Sequence, residues 1–241
     1  MKKIIPFCFI LITATQISCV NIFHETIHGD GNIKSEQRDI TEVSHIESYG
    51  NFDIEITQGS PVSVRIDADE NLLPYIVTKN ENGTLEIRTK DKVNLSSDNK
   101  IKVYVTTDKL EEASVIGSGN ITGTNTIVGG DDLKLDITGS GNITLAVNTP
   151  SVKSSIEGTG DINLSGDAKE SKIEIDGLGN YKAEDLSAAD VDITIAGSGN
   201  ARVSAKDNLS IDIAGSGDVY YHGTPAIHQS IAGTGTIKQV Q

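Results

Sequence analysis

LDITGSGNITLAV, residues 135–147, returns with small changes as ITIAGSGNARV at 193–203 and IDIAGSGDVYY at 211–221. Before the glycines the apolar side chains alternate (Leu133, Leu135, Ile137), and after them they alternate again (Ile143, Leu145, Val147). A period of two on both sides of a glycine-rich break reads as strand, turn, strand, each strand with one buried face. The turn tetrapeptide recurs at 117–120, 139–142, 158–161, 177–180, 197–200, 215–218 and 233–236, with first glycines 22, 19, 19, 20, 18 and 18 residues apart. A period near 20 residues is that of a solenoid or an array.

Alignment on the first glycine turns the copies into columns. Two residues before it stand Val115, Ile137, Ile156, Ile175, Ile195, Ile213 and Ile231; four residues after it stand Ile121, Ile143, Ile162, Tyr181, Ala201, Val219 and Ile237. A single repeat cannot bury two such positions alone, so the copies must stack with strands in register about 4.8 Å apart. The predicted fold is all-β, a single-chain parallel β-helix or β-solenoid of stacked strand-turn-strand repeats. Each buried Ile or Val contributes about 1.5–3 kcal/mol, so the ladders offset much of the ordering entropy of the turns. Both glycines are read as positive-φ corner residues, and the Asn or Asp after them as a left-handed residue or a hydrogen-bond partner of nearby backbone. A phosphate-binding glycine loop needs a helix directly behind it; here a strand follows each time.

Residues 30–115 are less regular. Alternation persists at Phe52, Ile54, Ile56, at Val62, Val64, Ile66, at Leu85, Ile87 and at Ile101, Val103, Val105, while Gly29 to Ile33 and Gly50, Asn51, Phe52 echo the later turn. These segments read as wider, degenerate rungs of the same stack, with a helical turn between Asp69 and Ile76. Without a Pro- or Ser-rich linker, 30–241 is expected to be one domain, irregular over 30–115 and regular over 116–241.

The repeated Gly-Ser-Gly-Asn/Asp turns, opened by the array at 116–120 and preceded by an irregular β-rich region, resemble the putative auto-transporter adhesin, head GIN domain family. The resemblance spans most of the chain. It implies a right-handed β-helix in an exported bacterial protein and transfers no catalytic residue, because the motif positions are the turn residues themselves.

At the start, Lys2 and Lys3 precede an apolar stretch, residues 4–13, too short to span a bilayer. Ile17, Ser18 and Cys19 resemble a bacterial lipobox, with Gln16 where leucine is usual. Residues 1–18 are therefore expected to be a lipoprotein signal peptide, Cys19 the lipid-attachment site, and 19–29 a tether. Val20, in place of an aspartate, points to the outer membrane. Loss of Lys2 and Lys3 takes the formal charge from −14 to −16, which argues against nucleic acid as a partner and leaves membrane contact to the acyl chains.

Three residues before the first glycine, Ser114, Asp136, Ser155, Glu174, Thr194, Asp212 and Ser230 form an outward column in which acids alternate with hydroxyls. Spacing like charges on alternate rungs limits repulsion; the same strip, Asp136, Glu174 and Asp212, is also a candidate contact for a glycan or a divalent cation. Parallel β-helices include polysaccharide lyases and hydrolases, but their chemistry needs paired carboxylates or a base beside a cation, placed by long loops. Asp161 and Asp218 are turn residues, the five histidines show no ligand spacing, and no cofactor is expected. The sequence thus points to a non-enzymatic envelope module that contacts a glycan, a surface protein or another copy, with a polysaccharide-processing enzyme as the alternative. The last rung, residues 227–241, would leave a bare edge, so a folded-back strand or end-to-end pairing is expected.

Overall fold

The computed structural model describes residues 24–130 and 132–240. Its strands are β1 (Glu25–His28), β2 (Ile33–Arg38), β3 (His45–Gly50), β4 (Asp53–Gln58), β5 (Ser63–Asp69), β6 (Ile76–Glu81), β7 (Thr84–Thr89), β8 (Val93–Ser96), β9 (Lys102–Thr107), β10 (Glu112–Gly117), β11 (Asn120–Val128), β12 (Asp132–Gly139), β13 (Asn142–Gly158), β14 (Asp161–Gly177), β15 (Asn180–Gly197), β16 (Asn200–Gly215), β17 (Val219–His222), β18 (Ala226–Gly233) and β19 (Ile237–Gln239). A 3₁₀ turn, Leu73–Tyr75, follows β5 where the helical turn was expected.

The repeats stack as a parallel β-solenoid. Corner glycines Gly50, Gly117, Gly139, Gly158, Gly177, Gly197, Gly215 and Gly233 lie in one register column. Both apolar columns point inward: Val115, Ile137, Ile156, Ile175, Ile195 and Ile213 are at most 2% exposed, as are Ile121, Ile143, Ile162, Tyr181, Ala201 and Val219. Tyr181 is the one large ring in its column. Ala201 on the next rung leaves room for it, and its hydroxyl lies 3.1 Å from that of Ser171 across the core.

The two turn glycines are required for different reasons. Gly177 has φ +133°, and a Cβ there would also strike the Gly158 carbonyl oxygen. Gly179 has no positive φ; its Cβ would sit 2.5 Å from Ile156 Cγ2 and strike the Gly160 carbonyl. The expectation of positive φ at both glycines is therefore corrected: the first bends the chain, and the second lets adjacent rungs approach.

Nor does the following Asn or Asp adopt a left-handed conformation; among the described residues the positive-φ ones other than glycine are Asn82 and Lys92. Those side chains form a ladder along the axis. Asn120 Nδ2 donates to Asp53 Oδ1 (2.7 Å), Asn142 Nδ2 to Asn120 Oδ1 (2.8 Å), Asn180 Nδ2 to Asp161 Oδ1 (2.8 Å) and Asn200 Nδ2 to Asn180 Oδ1 (3.0 Å). Where an aspartate cannot donate, its backbone N–H does so instead, from Asp161 to Asn142 Oδ1 (3.2 Å) and from Asp218 to Asn200 Oδ1 (3.1 Å). Thr236 closes the run on Asp218, 2.9 Å from its backbone nitrogen.

The irregular half is a cap as well as a set of rungs. β3 and β4, joined at Gly50, form a true rung beneath β10 and β11. On its other side lie β7 and β9, parallel to β3 and β4. The expectation of degenerate parallel rungs fails for β6, β5 and β2: β6 runs antiparallel to β7, β5 antiparallel to β9, and β2 antiparallel to β5. The chain thus leaves the β3/β4 rung, builds the outer layer, and returns to insert β7/β9 between them. Gly29 to Asn32 is not a stacking turn. It wraps the buried Asp69, whose carboxylate accepts the Gly31 N–H (2.6 Å) and the Ser97 hydroxyl and leaves no room for a Cβ at Gly29. At the other end, β18 pairs with β16 and β19 with β17, and among the described residues no strand folds back over them.

Candidate functional site

Two kinds of surface could carry function: the flat outward faces of the stack, and the corner where the regular turn is interrupted.

On the face before the turn, the acid-hydroxyl strip lies in register from Ser114 through Asp136, Ser155, Glu174, Thr194 and Asp212 to Ser230. Its three acids are two rungs apart, about 9.6 Å, so they cannot converge on one cation. Asp136 is ion-paired to Lys134 at 2.7 Å and Glu174 to Lys172 at 2.8 Å. Burial raises the Asp136 carboxyl above its ordinary range, Glu112 adds to that, and Lys134 opposes it. Beside this strip runs a feature the column reading missed: Lys134, Lys153 and Lys172 stack in register five residues before the corner glycines. Each is neutralised, Lys134 also by Glu112 (3.0 Å) and Lys153 by Asp132 (2.5 Å). This face is an interlocked charge lattice. Among the described residues no group of three His, Cys, Asp or Glu side chains could hold a metal, and Cys19 lies outside the described residues.

A cleft of about 870 Å³ opens at the corner of the β7/β9 rung. Elsewhere that corner is filled by glycine stacked on glycine. Here residues 90–101 loop outward, β8 pairs with β1, and the space below is bordered by Tyr49 to Asp53 and by Gly117 and Ser118. Its cations are Arg88, Lys90, Lys92 and Lys100. Arg88 is held by Glu86 (2.6 Å) and Asp91 (3.1 Å), and Lys100 by Asp53 (2.7 Å), while Lys90 sits over the Tyr75 ring. Burial pushes the Asp53 carboxyl up, but Lys100 and Asn120 outweigh it and hold the group below its ordinary range. Asp69 anchors the floor of the loop: its bond from Ser97 lowers its pKa first, burial opposes, and the Gly31 N–H lowers it further. The cleft can bind a polar or anionic group. Two of its carboxylates are already tied to cations, and Phe52, Val93, Leu95 and Ile101 border it beside the charged groups.

The model for the putative auto-transporter adhesin, head GIN domain family matches residues 42–225. No curated protein sequence matches the chain. Among solved structures, a putative adhesin from Bacteroides fragilis NCTC 9343 is similar with a TM-score of 0.84 and 24% identity, covering 89% of this chain and 100% of that one. A putative lipid binding protein from Parabacteroides distasonis ATCC 8503 gives 0.75 and 28%, covering 90% and 100%. A putative adhesin from Parabacteroides merdae ATCC 43184 gives 0.72 and 25%, with the same coverage.

Proposed function

The chain belongs to the putative auto-transporter adhesin, head GIN domain family, and from that premise we propose that it is a non-enzymatic adhesin-like module of the cell envelope, anchored by acyl groups on Cys19 at the outer membrane. The observation that carries this reading is the Asp53-to-Thr236 ladder. The motif side chains that make the repeat recognisable are consumed in holding rung to rung, which leaves the outward columns of the stack as the surface free to make contacts.

A polysaccharide-processing enzyme is less well supported. Retaining or inverting hydrolysis uses two free carboxyl groups about 5–9.5 Å apart, and in the cleft Asp53 and Asp91 are committed to Lys100 and Arg88. Lipid binding is the description carried by the Parabacteroides distasonis protein; the cleft here mixes Phe52, Val93, Leu95 and Ile101 with charged and amide side chains, which suits a polar headgroup better than a buried acyl chain.

The test is to incubate residues 20–241 with an array of bacterial and host glycans and matrix proteins, with product analysis of every hit. Retention without turnover is the expected result; loss of oligosaccharide mass would overturn the non-enzymatic reading. Anchoring is tested separately, by acyl labelling of the full chain against Cys19→Ser, which should lose both label and membrane association.

A further inference from the structure

After the corner, the outward column two residues beyond the Asn/Asp ladder changes character along the stack. It begins with Thr122, Thr144 and Asn163 and ends with Lys182, Arg202, Tyr220 and Lys238, all in register. We propose that Arg202, braced on Tyr220 and flanked by Lys182 and Lys238, binds the carboxylate groups of an acidic polysaccharide laid along the solenoid axis. This rests on the reading of the protein as a glycan-contacting module and names the class of glycan.

The argument starts from what the other arginines do. Arg38 is paired with Glu36 at 3.0 Å, Arg65 with Asp67 at 3.2 Å and Arg88 with Glu86 at 2.6 Å. Among the described residues, Arg202 alone of the arginines has no carboxylate in ion-pair reach; its contact is the Tyr220 ring, 5.0 Å from the guanidinium carbon to the centroid. Arg65 stacks similarly on Tyr104 at 4.1 Å, but its charge is already met by Asp67. In a chain of net charge −14, an uncompensated guanidinium is the exception.

The neighbouring acids are engaged elsewhere. Asp161 holds Lys182 at 2.6 Å, and Asp218 Oδ1 accepts both the backbone N–H and the hydroxyl of Thr236, at 2.9 and 2.7 Å. The Tyr220 ring supports the guanidinium from one side while its N–H groups stay open, and a planar fork matches a carboxylate in bidentate fashion. A groove of about 320 Å³ lies over this column, bordered on the ladder side by the amides of Asn180 and Asn200 and by Asp218, whose Oδ1 is turned to Thr236. Those amides can meet sugar hydroxyls. Arg202 and Lys238 are two rungs apart, about 9.6 Å, so the column suits linked acidic residues better than one small acid; Lys182, held by Asp161, lies on the rung before.

The experiment uses residues 20–241 with oligogalacturonate as the carboxylated probe and galactan as the neutral one, by titration calorimetry at two salt concentrations. Oligogalacturonate should bind, more weakly at high salt, and galactan should not. Arg202→Gln should weaken binding about tenfold or more, the scale of a lost charge-assisted pair. Arg202→Lys, which keeps the charge but not the fork, should also weaken it, with the thermal midpoint of both variants unchanged. The triple change Lys134→Gln, Lys153→Gln, Lys172→Gln on the face before the turn should leave affinity intact. Arg202→Gln binding as tightly as the parent chain, or a parent chain that binds other glycans or proteins but not oligogalacturonate, overturns this site while the adhesin-like reading stands. Silence against every glycan and protein overturns both.

Discussion

Asn180 bridges two rungs at once: its side-chain nitrogen donates to Asp161 Oδ1 at 2.8 Å, and its own Oδ1 accepts from Asn200 at 3.0 Å. Aspartates occur in this ladder at 53, 161 and 218, and no two of them are adjacent. An amide can pass a hydrogen bond along the column in both directions. A carboxylate can only accept, so each aspartate must be followed by a donor.

Asn180→Asp should therefore place two carboxylates about 4.8 Å apart, and Asn180→Ala should remove the bonds without adding charge. At neutral pH the aspartate variant is expected to be the less stable of the two. Below pH 4 the introduced acid protonates, regains a donor, and the order should reverse. Denaturant midpoints of both variants between pH 3 and 8 check this; a pH-independent gap between them would show that the ladder bond is worth little.

The two glycines of a corner should fail for separable reasons. Gly177→Ala adds both a strained φ and a clash with the Gly158 carbonyl, whereas Gly179→Ala adds only the clash with Gly160 and Ile156. Each should cost more than about 2 kcal/mol, and the first should cost more. Combining Gly179→Ala with Ile156→Ala, which removes the Cγ2 methyl, should recover none of the loss, because the Gly160 backbone still stands in the way. Urea unfolding of the three variants measures it.

Much of this was legible from columns. The inward positions at Ile137 and Ile143 and their counterparts were readable because a period of two within strands and a period near 20 between them select one stacking. The ladder was present in the same alignment, since every copy carries Asn, Asp or Thr at one position and Asp53 extends it, but a turn residue has a sufficient local explanation and conceals an axial one. The cap was not readable. Alternation in β5 and β7 is the same for parallel and antiparallel neighbours, and nothing in Leu85 or Val103 announces that β7 and β9 insert between strands that precede them in the chain. The Arg202 column and the cleft depend on which carboxylates are already taken, and pairing of that kind is a property of the stack.

Tyr181 has its hydroxyl sealed in the core, and burial pushes its pKa up to about 12 despite the opposing bond to Ser171. The unfolded chain releases that proton near pH 10. The folded state binds more protons between about 10 and 12, so stability is full below pH 10 and declines as pH rises, by at most about 2–3 kcal/mol. Tyr181→Phe should flatten this contribution while costing about 1–2 kcal/mol at neutral pH for the orphaned Ser171 hydroxyl. The observable is the difference between the two unfolding free energies across pH 8–12, in which the common lysine titrations cancel. A constant difference would mean the hydroxyl reaches solvent.

The two ends of the stack are built differently, and that difference predicts an assembly. The edges at the capped end carry Lys34, Glu36 and Arg38 on β2 and Lys79 and Glu81 on β6, charges that discourage further strand pairing. β18 carries no Asp, Glu, Lys or Arg, bonds only to β16, and leaves Ile227 and Ile231 at 39% and 40% exposure. Two copies meeting end to end through a two-fold axis would run β18 antiparallel to its mate and bury those isoleucines without bringing acidic faces together. A chain of residues 20–241 is thus expected to sediment as a dimer whose weight-average mass falls on dilution. Ser230→Lys, on the outward side beside Asp212, should yield monomers with an unchanged unfolding midpoint, and Lys34→Ser at the capped end should leave the dimer as it was. A parent chain that stays monomeric at about 100 μM, where micromolar pairing would be saturated, would leave β18 as an edge protected only by its shortness and twist.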